Sequence, residues 1–199
     1  VVVDADGLNA LAPFPDDFRT RPTPLVLTPH PGEFARLAGV PTHDVVTHRE
    51  ELAVRFAARA GVVLLLKGTQ TVVSDGRRLY RNSTGNPGMA TGGSGDVLTG
   101  VVAALLAQGL APFDAAMLAA WVHGRAGDLA AAALGQTGLT AADLPDALPA
   151  AFRELEARRA VEAFDQLQLA GTVRRQLQRH VGVPRNPAEI RGIPEERQR

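Results

Sequence analysis

The sequence contains no cysteine among its 199 residues, which excludes disulfide bonds and thiolate metal sites. It also has no excess of either charge, because acidic and basic residues number 21 each, and this balance argues against a general nucleic-acid or membrane surface. No apolar run approaches the length of a membrane span, and we expect no secretory leader. With 45% hydrophobic residues the chain can build one sizeable core, so we expect a folded cytoplasmic protein.

The sequence does have a glycine-rich run, GNPGMATGGSGDVLTG, at residues 85–100. Gly92, Gly93 and Gly95 can adopt backbone angles that a Cβ forbids, and they let a ligand approach the main chain. Apolar residues at three-to-four spacing follow from Val97 to Leu106, which predicts that the loop leads into a helix. The unpaired amides and the dipole of a helix N-terminus favour a phosphate or another developing anion.

Asp96 lies in the first turn of this predicted helix, where a negative charge is stabilised. A carboxylate beside a phosphate site can take the proton from a hydroxyl that attacks phosphorus. Glycine-rich turns before helices are common, however, and an acidic first-turn residue is ordinary capping. The residues of this run alone leave both interpretations open.

Two other segments place polar residues after predicted strands. The opening VVVDADGLNAL indicates a buried parallel strand and a polar turn, which puts Asp6 and Asn9 at the edge where α/β sheets bind ligands. Turn capping would explain both residues equally well. In LVLTPHPGEFARLAG, a short strand at Leu25–Leu27 precedes a helix that begins at Glu33. His30 lies between two prolines and loses little freedom on meeting a ligand, although a purely structural loop role is the alternative.

The segment VVLLLKGTQTVVSDG predicts two strands, Val62–Leu66 and Thr71–Val73, followed by a hairpin turn at residues 74–76. Lys67 follows the first strand, so its ammonium emerges at the carboxyl end of the sheet. A cation there can meet phosphate oxygens. The alternative is a lysine in solvent at a strand end, which is the commoner case for lysine.

Other segments predict packing helices without chemistry. Thr47 and Glu50 match a capping box for a helix that ends at Gly61. A second, alanine-rich helix is predicted from Pro112 to about Leu134. We expect His123 in that helix to be packed or exposed rather than catalytic.

Four strings, DADGLN, TPHPGE, KGTQTVV and GNPGMATGGSGD, together resemble the signature of the ADP-dependent or ATP-dependent NAD(P)H-hydrate dehydratases. This family is a branch of the ribokinase-like superfamily, and the resemblance ends near Leu155. The usual family form reads GGTGD, so Ser94 is a departure that keeps a small hydroxyl. The resemblance implies an α/β, ribokinase-like three-layer domain with a mostly parallel sheet.

The resemblance also implies roles for particular residues. Asp96 would be the catalytic base, and His30, Asn9 and Asp96 would contact the substrate. The adenine nucleotide, ADP or ATP, would be held by residues of two loops: Lys67, Gly68, Thr69, Gln70 and Thr71 in one, and Gly92, Gly93, Ser94 and Gly95 in the other. Mg2+ is plausible as the counter-charge of the phosphates, but the sequence assigns it no ligand.

The implied activity is the repair of hydrated NADH or NADPH. The nucleotide would phosphorylate the substrate hydroxyl, and loss of phosphate would restore the double bond of the nicotinamide ring. One alternative is a ribokinase-like kinase that phosphorylates a vitamin precursor and stops there. Another is an inactive fragment that binds nucleotide without turnover.

We expect two parts in the chain. Residues 1–155 would form the C-terminal portion of the dehydratase domain, truncated at its N-terminus because the first residue already lies in a strand. Residues 156–199 would be a basic extension, helical and then flexible. The family resemblance implies small-molecule partners, the hydrated dinucleotide and the adenine nucleotide, and the possibility of a joined N-terminal epimerase domain. We expect a homo-oligomer, with no nucleic acid or membrane as partner.

Overall fold

A computed structural model of the chain describes residues 1–15 and 23–157. Its centre is a five-stranded sheet in the order β1-β2-β3-β4-β5. The first three strands are parallel, and the last two join as antiparallel hairpins. The strands are β1 (Val2–Val3), β2 (Val26–Leu27), β3 (Val63–Leu66), β4 (Val72–Ser74) and β5 (Leu79–Arg81).

Helices cover both faces of this sheet. They are α1 (Ala5–Ala10), α2 (Pro31–Ala38), α3 (Thr42–Thr47), α4 (Arg49–Ala60), α5 (Ser94–Ala107), α6 (Pro112–Leu134) and α7 (Asp143–Ala157), with a 3₁₀ turn at Pro87–Met89. One apolar cluster joins α1 to α4 with one sheet face, and a second joins α5 to α7 with the other. The predicted three-layer α/β architecture with a largely parallel sheet is therefore confirmed.

Strand β3 shows how the sequence builds these layers. Its four residues are all buried, and they alternate between the two faces as strand geometry requires. Leu64 and Leu66 belong to the cluster of α1 to α4, whereas Val63 and Leu65 belong to that of α5 to α7. Full burial of one such side chain contributes about 1.5–3 kcal/mol. An apolar run buried on both faces is therefore the reason that β3 occupies the middle of the sheet.

The first segment departs from its prediction. Strand β1 is only half-buried, and the expected polar turn is instead the short helix α1, which carries Asp6 and Asn9. Gly7 lets this helix fold directly back over the strand, because a Cβ at position 7 would lie 2.8 Å from Cγ1 of Val3. Helix α1, packed closely on β1, therefore takes the place of the polar turn that the sequence predicted.

The predicted capping box at Thr47 is wrong. Thr47 is the last residue of α3, and its hydroxyl donates hydrogen bonds to the carbonyls of His43 and Asp44. Because that hydroxyl is already engaged, it does not cap the next helix, which begins at Arg49. The predicted end is correct, since Gly61 adopts the left-handed conformation with φ 63°.

Two other predicted helices agree closely with the structure. Helix α6 begins at Pro112 and ends at Leu134, as its sequence indicates. Helix α2 begins two residues earlier than expected, because Pro31 fits the first helical position. Of the predicted extension at 156–199, the part from residue 158 lies outside the described residues. In residues 1–15 and 23–157, no helix has the length and apolar character needed to cross a membrane.

Candidate active site

The carboxyl ends of the three parallel strands meet beneath the N-terminus of α5. Asp4 follows β1, Thr28 follows β2 and Lys67 follows β3, and the strands pair in register through Val3, Leu27 and Leu64. In open α/β sheets this edge is where ligands bind. The fold therefore gathers the polar strand ends at one place.

Four side chains form what we call the charge cluster: Asp4, Glu33, Lys67 and Thr99. Lys67 Nζ lies 2.8 Å from Oδ1 of Asp4 and 3.8 Å from Oε2 of Glu33. The Thr99 hydroxyl donates to Oδ2 of Asp4 at 2.7 Å. Burial raises the pKa of Asp4, but the hydrogen bonds from Lys67 and Thr99 outweigh it and hold that pKa below its usual range. Asp4 is thus kept as a carboxylate.

The glycine-rich loop closes over this cluster. Gly93 takes the left-handed conformation, with φ 89°, as the N-cap of α5. A Cβ on Gly95 would lie 3.3 Å from Nζ of Lys67, so glycine lets the lysine approach the helix. A Cβ on Gly92 would meet nothing within 4 Å, which leaves that position open to a ligand. The predicted helix entry is therefore confirmed, with Lys67 directly against it.

Asp96 lies in the first turn of α5, as expected. Its side chain is exposed, and its backbone amide donates to the carbonyl of Gly93 at 3.0 Å. A substrate hydroxyl can therefore reach the carboxylate from solvent while the glycine loop holds its backbone. This placement suits a base, although it does not by itself distinguish a base from a helix-terminal carboxylate.

Ser94 is buried against His123 of α6. His123 Nε2 lies 2.9 Å from the Ser94 carbonyl, which can only accept, so Nε2 carries the hydrogen and donates it. That nitrogen is consequently unable to act as a base toward the Ser94 hydroxyl, 3.5 Å away. Burial lowers the pKa of His123 to about 4, which keeps the ring neutral near pH 7. His123 is packed, as the sequence analysis expected.

His30 caps helix α2. Its Nδ1 accepts hydrogen bonds from the amides of Gly32 and Glu33, at 3.0 and 3.3 Å. The Glu33 carboxylate in turn accepts from the His30 amide at 2.7 Å, which completes a capping box. The His30 side chain remains 53% exposed, with Nε2 3.5 Å from Oε1 of Glu33. The ring thus has a structural role on one edge and an accessible nitrogen on the other.

The loop at residues 67–71 connects β3 to β4. Lys67 points inward to the charge cluster, with 20% of its side chain exposed, so it is not the solvent lysine of the alternative interpretation. Gly68 and Gln70 have positive φ, 132° and 53°. Thr69 is exposed, and the Thr71 hydroxyl donates to the Gly68 carbonyl at 3.1 Å. The five predicted nucleotide contacts therefore form one ordered turn beside the glycine loop.

Asn9 lies on α1, at the α2 side of the site. Its side-chain oxygen accepts two hydrogen bonds from Arg36, at 3.2 and 2.8 Å. Arg36 belongs to the helix that His30 caps, so Asn9 is tied to the His30 segment. A substrate contact by Asn9 stays a prediction.

Sequence reasoning missed the polar residues that complete the site. Asp4, and not Asp6, is the aspartate of the charge cluster, and Thr99 and Glu33 were also missed as members of it. Arg49 was also missed, and its guanidinium donates to three carbonyls at the 67–71 loop. The available signal for Asp4 was its place immediately after the β1 residues, because the first polar residue after a parallel strand lies at the ligand-binding edge.

The described residues do not form a preformed metal-binding site. Within residues 1–15 and 23–157, no group of three or more histidine, cysteine, aspartate or glutamate side chains is arranged to hold one. Asp4 and Glu33 converge on Lys67 instead. Because Mg2+ bound to a nucleotide needs only one or two protein carboxylates besides phosphate oxygens, these two residues fit an ion that the nucleotide brings.

A cleft of about 630 Å³ lies away from this site, against the amino ends of β2 and β3. Arg78 lines it, and the arginine is held by Asp75 and Asp114 at 2.8 and 3.3 Å and covers the ring of Phe113. These contacts satisfy the guanidinium within the protein. The cleft is therefore separate from the candidate site at the carboxyl ends of these strands.

Comparison with known proteins gives a consistent result. A family model described as NAD(P)H-hydrate dehydratase matches residues 1–150. The bifunctional NAD(P)H-hydrate repair enzyme of Moorella thermoacetica is 54% identical over 157 residues, which cover 78% of this chain and 29% of that protein. The ADP-dependent (S)-NAD(P)H-hydrate dehydratase of Neisseria meningitidis is 42% identical over 154 residues, covering 74% of this chain and 51% of that protein.

A solved structure agrees with both relatives. The ADP/ATP-dependent NAD(P)H-hydrate dehydratase of Bacillus subtilis, co-crystallised with ATP/Mg2+ and soaked with CoA, aligns with a TM-score of 0.69 and 38% identity. The alignment covers 77% of this chain and 56% of that one. The chain thus spans less than a third of the bifunctional relative and about half of the other two proteins.

Proposed function

This chain belongs to the NAD(P)H-hydrate dehydratase family, and from that premise we propose that it carries the catalytic edge for dehydrating hydrated NADH or NADPH. The observation that carries the proposal is the meeting of an accessible first-turn carboxylate, Asp96, with a glycine loop and the Lys67 cation. This arrangement can bind phosphate and remove a proton at the same place. The names of the relatives support hydrated dinucleotide as the substrate and ADP or ATP as the phosphoryl donor.

The reaction would proceed in two steps. First, the substrate hydroxyl attacks the terminal phosphorus of the nucleotide, so that a C–O–P linkage forms and the phosphoanhydride bond breaks, releasing ADP from ATP or AMP from ADP. Asp96 accepts the hydroxyl proton in this step. The resulting phosphate then leaves with the electrons of its C–O bond, and loss of a proton from the neighbouring carbon restores the ring double bond. The second step needs no oxidant, so the product is NADH or NADPH.

The other residues would position and neutralise the reactants. Backbone amides from Gly92 to Gly95 would stabilise charge on the transferred phosphoryl group, in a site that needs little rearrangement. Residues 67–71 would hold the adenine nucleotide, while Nε2 of His30 and the amide of Asn9 would contact the hydrated ring. Mg2+ carried by the nucleotide would supply counter-charge, and Asp4 and Glu33, which pair with Lys67 in this structure, would be the carboxylates to hold it.

Three further expectations also stand as proposals. The word bifunctional in the names of several relatives supports a second activity in a longer polypeptide, for which we propose the epimerase domain. We also propose a homo-oligomer, and the composition of the chain supports a cytoplasmic location.

The test is to incubate the purified 199-residue chain with hydrated NADH, Mg2+ and either ADP or ATP, and to follow the return of reduced-nicotinamide absorbance. We expect Asp96→Asn to lower the rate by about 10²- to 10⁴-fold, the usual contribution of a general base. Asp44→Asn, in the first turn of α3, is the matched control and should retain activity. The Neisseria relative serves as the positive control for the substrate.

Two results would contradict the proposal. A phosphate ester that accumulates without NADH would identify the chain as a kinase, and nucleotide binding without turnover would identify it as a binding module. An unaffected rate in Asp96→Asn would show that another group takes the proton.

A further inference from the structure

Arg49 is the first residue of α4, yet its side chain is bound to the 67–71 loop. Nη1 donates to the Thr69 carbonyl at 2.7 Å, and Nη2 donates to the carbonyls of Leu66 and Lys67 at 3.0 and 2.8 Å. In the described part of the chain, its Nε is a buried nitrogen with no hydrogen-bond partner. An unpaired buried donor costs free energy. The bonds from Nη1 and Nη2 to the loop therefore hold the guanidinium in place, although its Nε has no partner among the described residues.

The backbone of the loop divides into two sides as a result. Arg49 occupies the carbonyls of Leu66, Lys67 and Thr69, and the Thr71 hydroxyl occupies that of Gly68. By contrast, within residues 1–15 and 23–157 no protein acceptor is bonded to the amides of Gly68, Thr69 and Gln70. A turn whose carbonyls are satisfied and whose amides are free is suited to an anion.

The loop and the arginine also fit each other sterically. A Cβ on Gly68 would lie 3.0 Å from Nη2 of Arg49 and 3.1 Å from Nη1. Gly68 has φ 132°, a value that side-chain-bearing residues rarely adopt. Gln70 has φ 53° without being glycine, so the surrounding contacts must hold the turn in this shape. The guanidinium makes three of those contacts, and the Thr71 hydroxyl makes another.

We propose that Arg49 is a positioning residue that fixes the 67–71 loop in its nucleotide-binding shape. The inference rests on the proposed function, because it takes this loop as the nucleotide contact. Arg49 acts through its planar fork, which reaches several carbonyls at once, and not through its charge alone. Lysine, a point donor on a flexible stem, cannot reproduce this set of bonds.

The test compares Arg49→Lys and Arg49→Met with Arg55→Lys and Arg55→Met. Arg55 is on the same helix, with 73% of its side chain exposed and a single surface pair with Glu51, so it controls for the chemical change. Two quantities are measured on the full chain. They are the Kd for ADP and ATP by calorimetry, and the backbone order parameters of residues 68–71 from 15N relaxation without nucleotide.

We expect Arg49→Lys to weaken nucleotide binding about tenfold, equivalent to about 1.4 kcal/mol, although its charge is unchanged. The order parameters of residues 68–71 should fall while those of β3 and α6 stay as in the parent. In steady state, the KM for nucleotide should rise and the KM for hydrated NADH should not. Both Arg55 variants should match the parent.

The failure of each proposal is recognisable. If the parent binds nucleotide and Arg49→Lys binds equally well, the positioning role is overturned while the proposed function stands. If Arg49→Lys loses stability throughout the fold but the folded fraction binds nucleotide normally, Arg49 is only a structural residue. If the parent binds no nucleotide, both proposals fall, and the order parameters then show only what shapes the loop.

Discussion

At the residue scale, the pairing of Lys67 with Asp4 determines what this lysine can offer a nucleotide. The ammonium is already 2.8 Å from one carboxylate and 3.8 Å from another. A phosphate that reaches Lys67 must therefore share it with Asp4 and Glu33. Lys67 thus neutralises two carboxylates that would otherwise repel the nucleotide, and it meets the glycine loop at Gly95.

His123 offers a prediction about pH. Its pKa is lowered by burial from 6.5 to about 4, so the unfolded chain binds the proton more tightly than the folded chain. Stability should therefore fall as the pH falls from about 6.5 to about 4, and the effect is absent above that window. Between pH 7 and pH 5 the loss from this group should be about 2 kcal/mol.

The measurement is urea unfolding of the parent and His123→Gln at pH 7 and pH 5. Glutamine can place an amide nitrogen near the position of Nε2, so the bond to the Ser94 carbonyl can persist without the titrating ring. We expect a smaller loss of stability between the two pH values in the variant. His43→Gln, at an exposed position of α3, should behave as the parent. Equal pH dependence in parent and His123→Gln would refute the assignment.

The positions of some candidate site residues depend on local partners, whereas their roles stay predictions. Asp96 follows the glycines by a few positions, and the His30 cap involves residues only two and three positions away. Asp4 and Thr99 lie 95 residues apart, and Asp4 and Lys67 lie 63 apart. Those pairs form because of strand order and register, and a local sequence pattern does not reveal either of these. Arg49 was hidden for the same reason, since only the fold brings α4 to the 67–71 loop.

At the element scale, small residues on α6 let the segment that precedes the glycine loop lie against it. Asp128 accepts from the Gly85 amide and from the Asn86 side chain, both at 3.0 Å. A Cβ on Gly127 would lie 2.2 Å from the sulfur of Met89. The predicted alanine-rich helix is therefore also the support on which the start of the GNPGMATGG run is built.

Gly124→Ala tests this close packing. An added Cβ would lie 2.3 Å from the Thr84 hydroxyl and 2.8 Å from the Thr84 backbone, so the segment must move. We expect a destabilisation of about 1–3 kcal/mol from overpacking, despite the better helix propensity of alanine. Gly100→Ala in α5 is the control, because its Cβ would meet nothing within 4 Å. It should gain up to about 1 kcal/mol.

Denaturant midpoints of the two variants decide the matter. We expect the midpoint of Gly124→Ala to fall and that of Gly100→Ala to rise, because both glycines lie within helices and differ only in what surrounds them. A stabilised Gly124→Ala would mean that the segment at residue 84 yields without cost, and the support by α6 would then be dispensable.

Helix boundaries were predictable where backbone chemistry sets them. Pro112 fits only the start of α6, and Gly61 takes the left-handed angle that ends α4. The boundary between α3 and α4 was missed because Thr47 bonds backward to His43 and Asp44 instead of forward. A hydroxyl near a helix end can serve either helix, and the choice depends on packing that the local sequence does not show.

At the scale of the whole molecule, the charge cluster lies between the two helical layers. Glu33 comes from α2 on one face, Thr99 comes from α5 on the other, and Asp4 and Lys67 come from the strand ends between them. The site therefore assembles only when both apolar clusters have formed. Nucleotide affinity should consequently report on the integrity of both layers and not of one.

The last prediction concerns the boundary expected near residue 155. Helix α7 buries Leu144, Ala151 and Leu155, and Glu154 accepts from Arg125 of α6 at 2.6 Å. A chain that ends at residue 157 keeps all of these contacts, so its urea midpoint and nucleotide Kd should equal those of the full chain. A chain that ends at residue 142 loses two buried leucines, at about 1.5–3 kcal/mol each, from a total of about 5–15 kcal/mol. It should unfold at much lower urea or fail to fold. If the chain of 157 residues is the unstable one, residues 158–199 contribute to the domain, and the boundary drawn from the sequence is wrong.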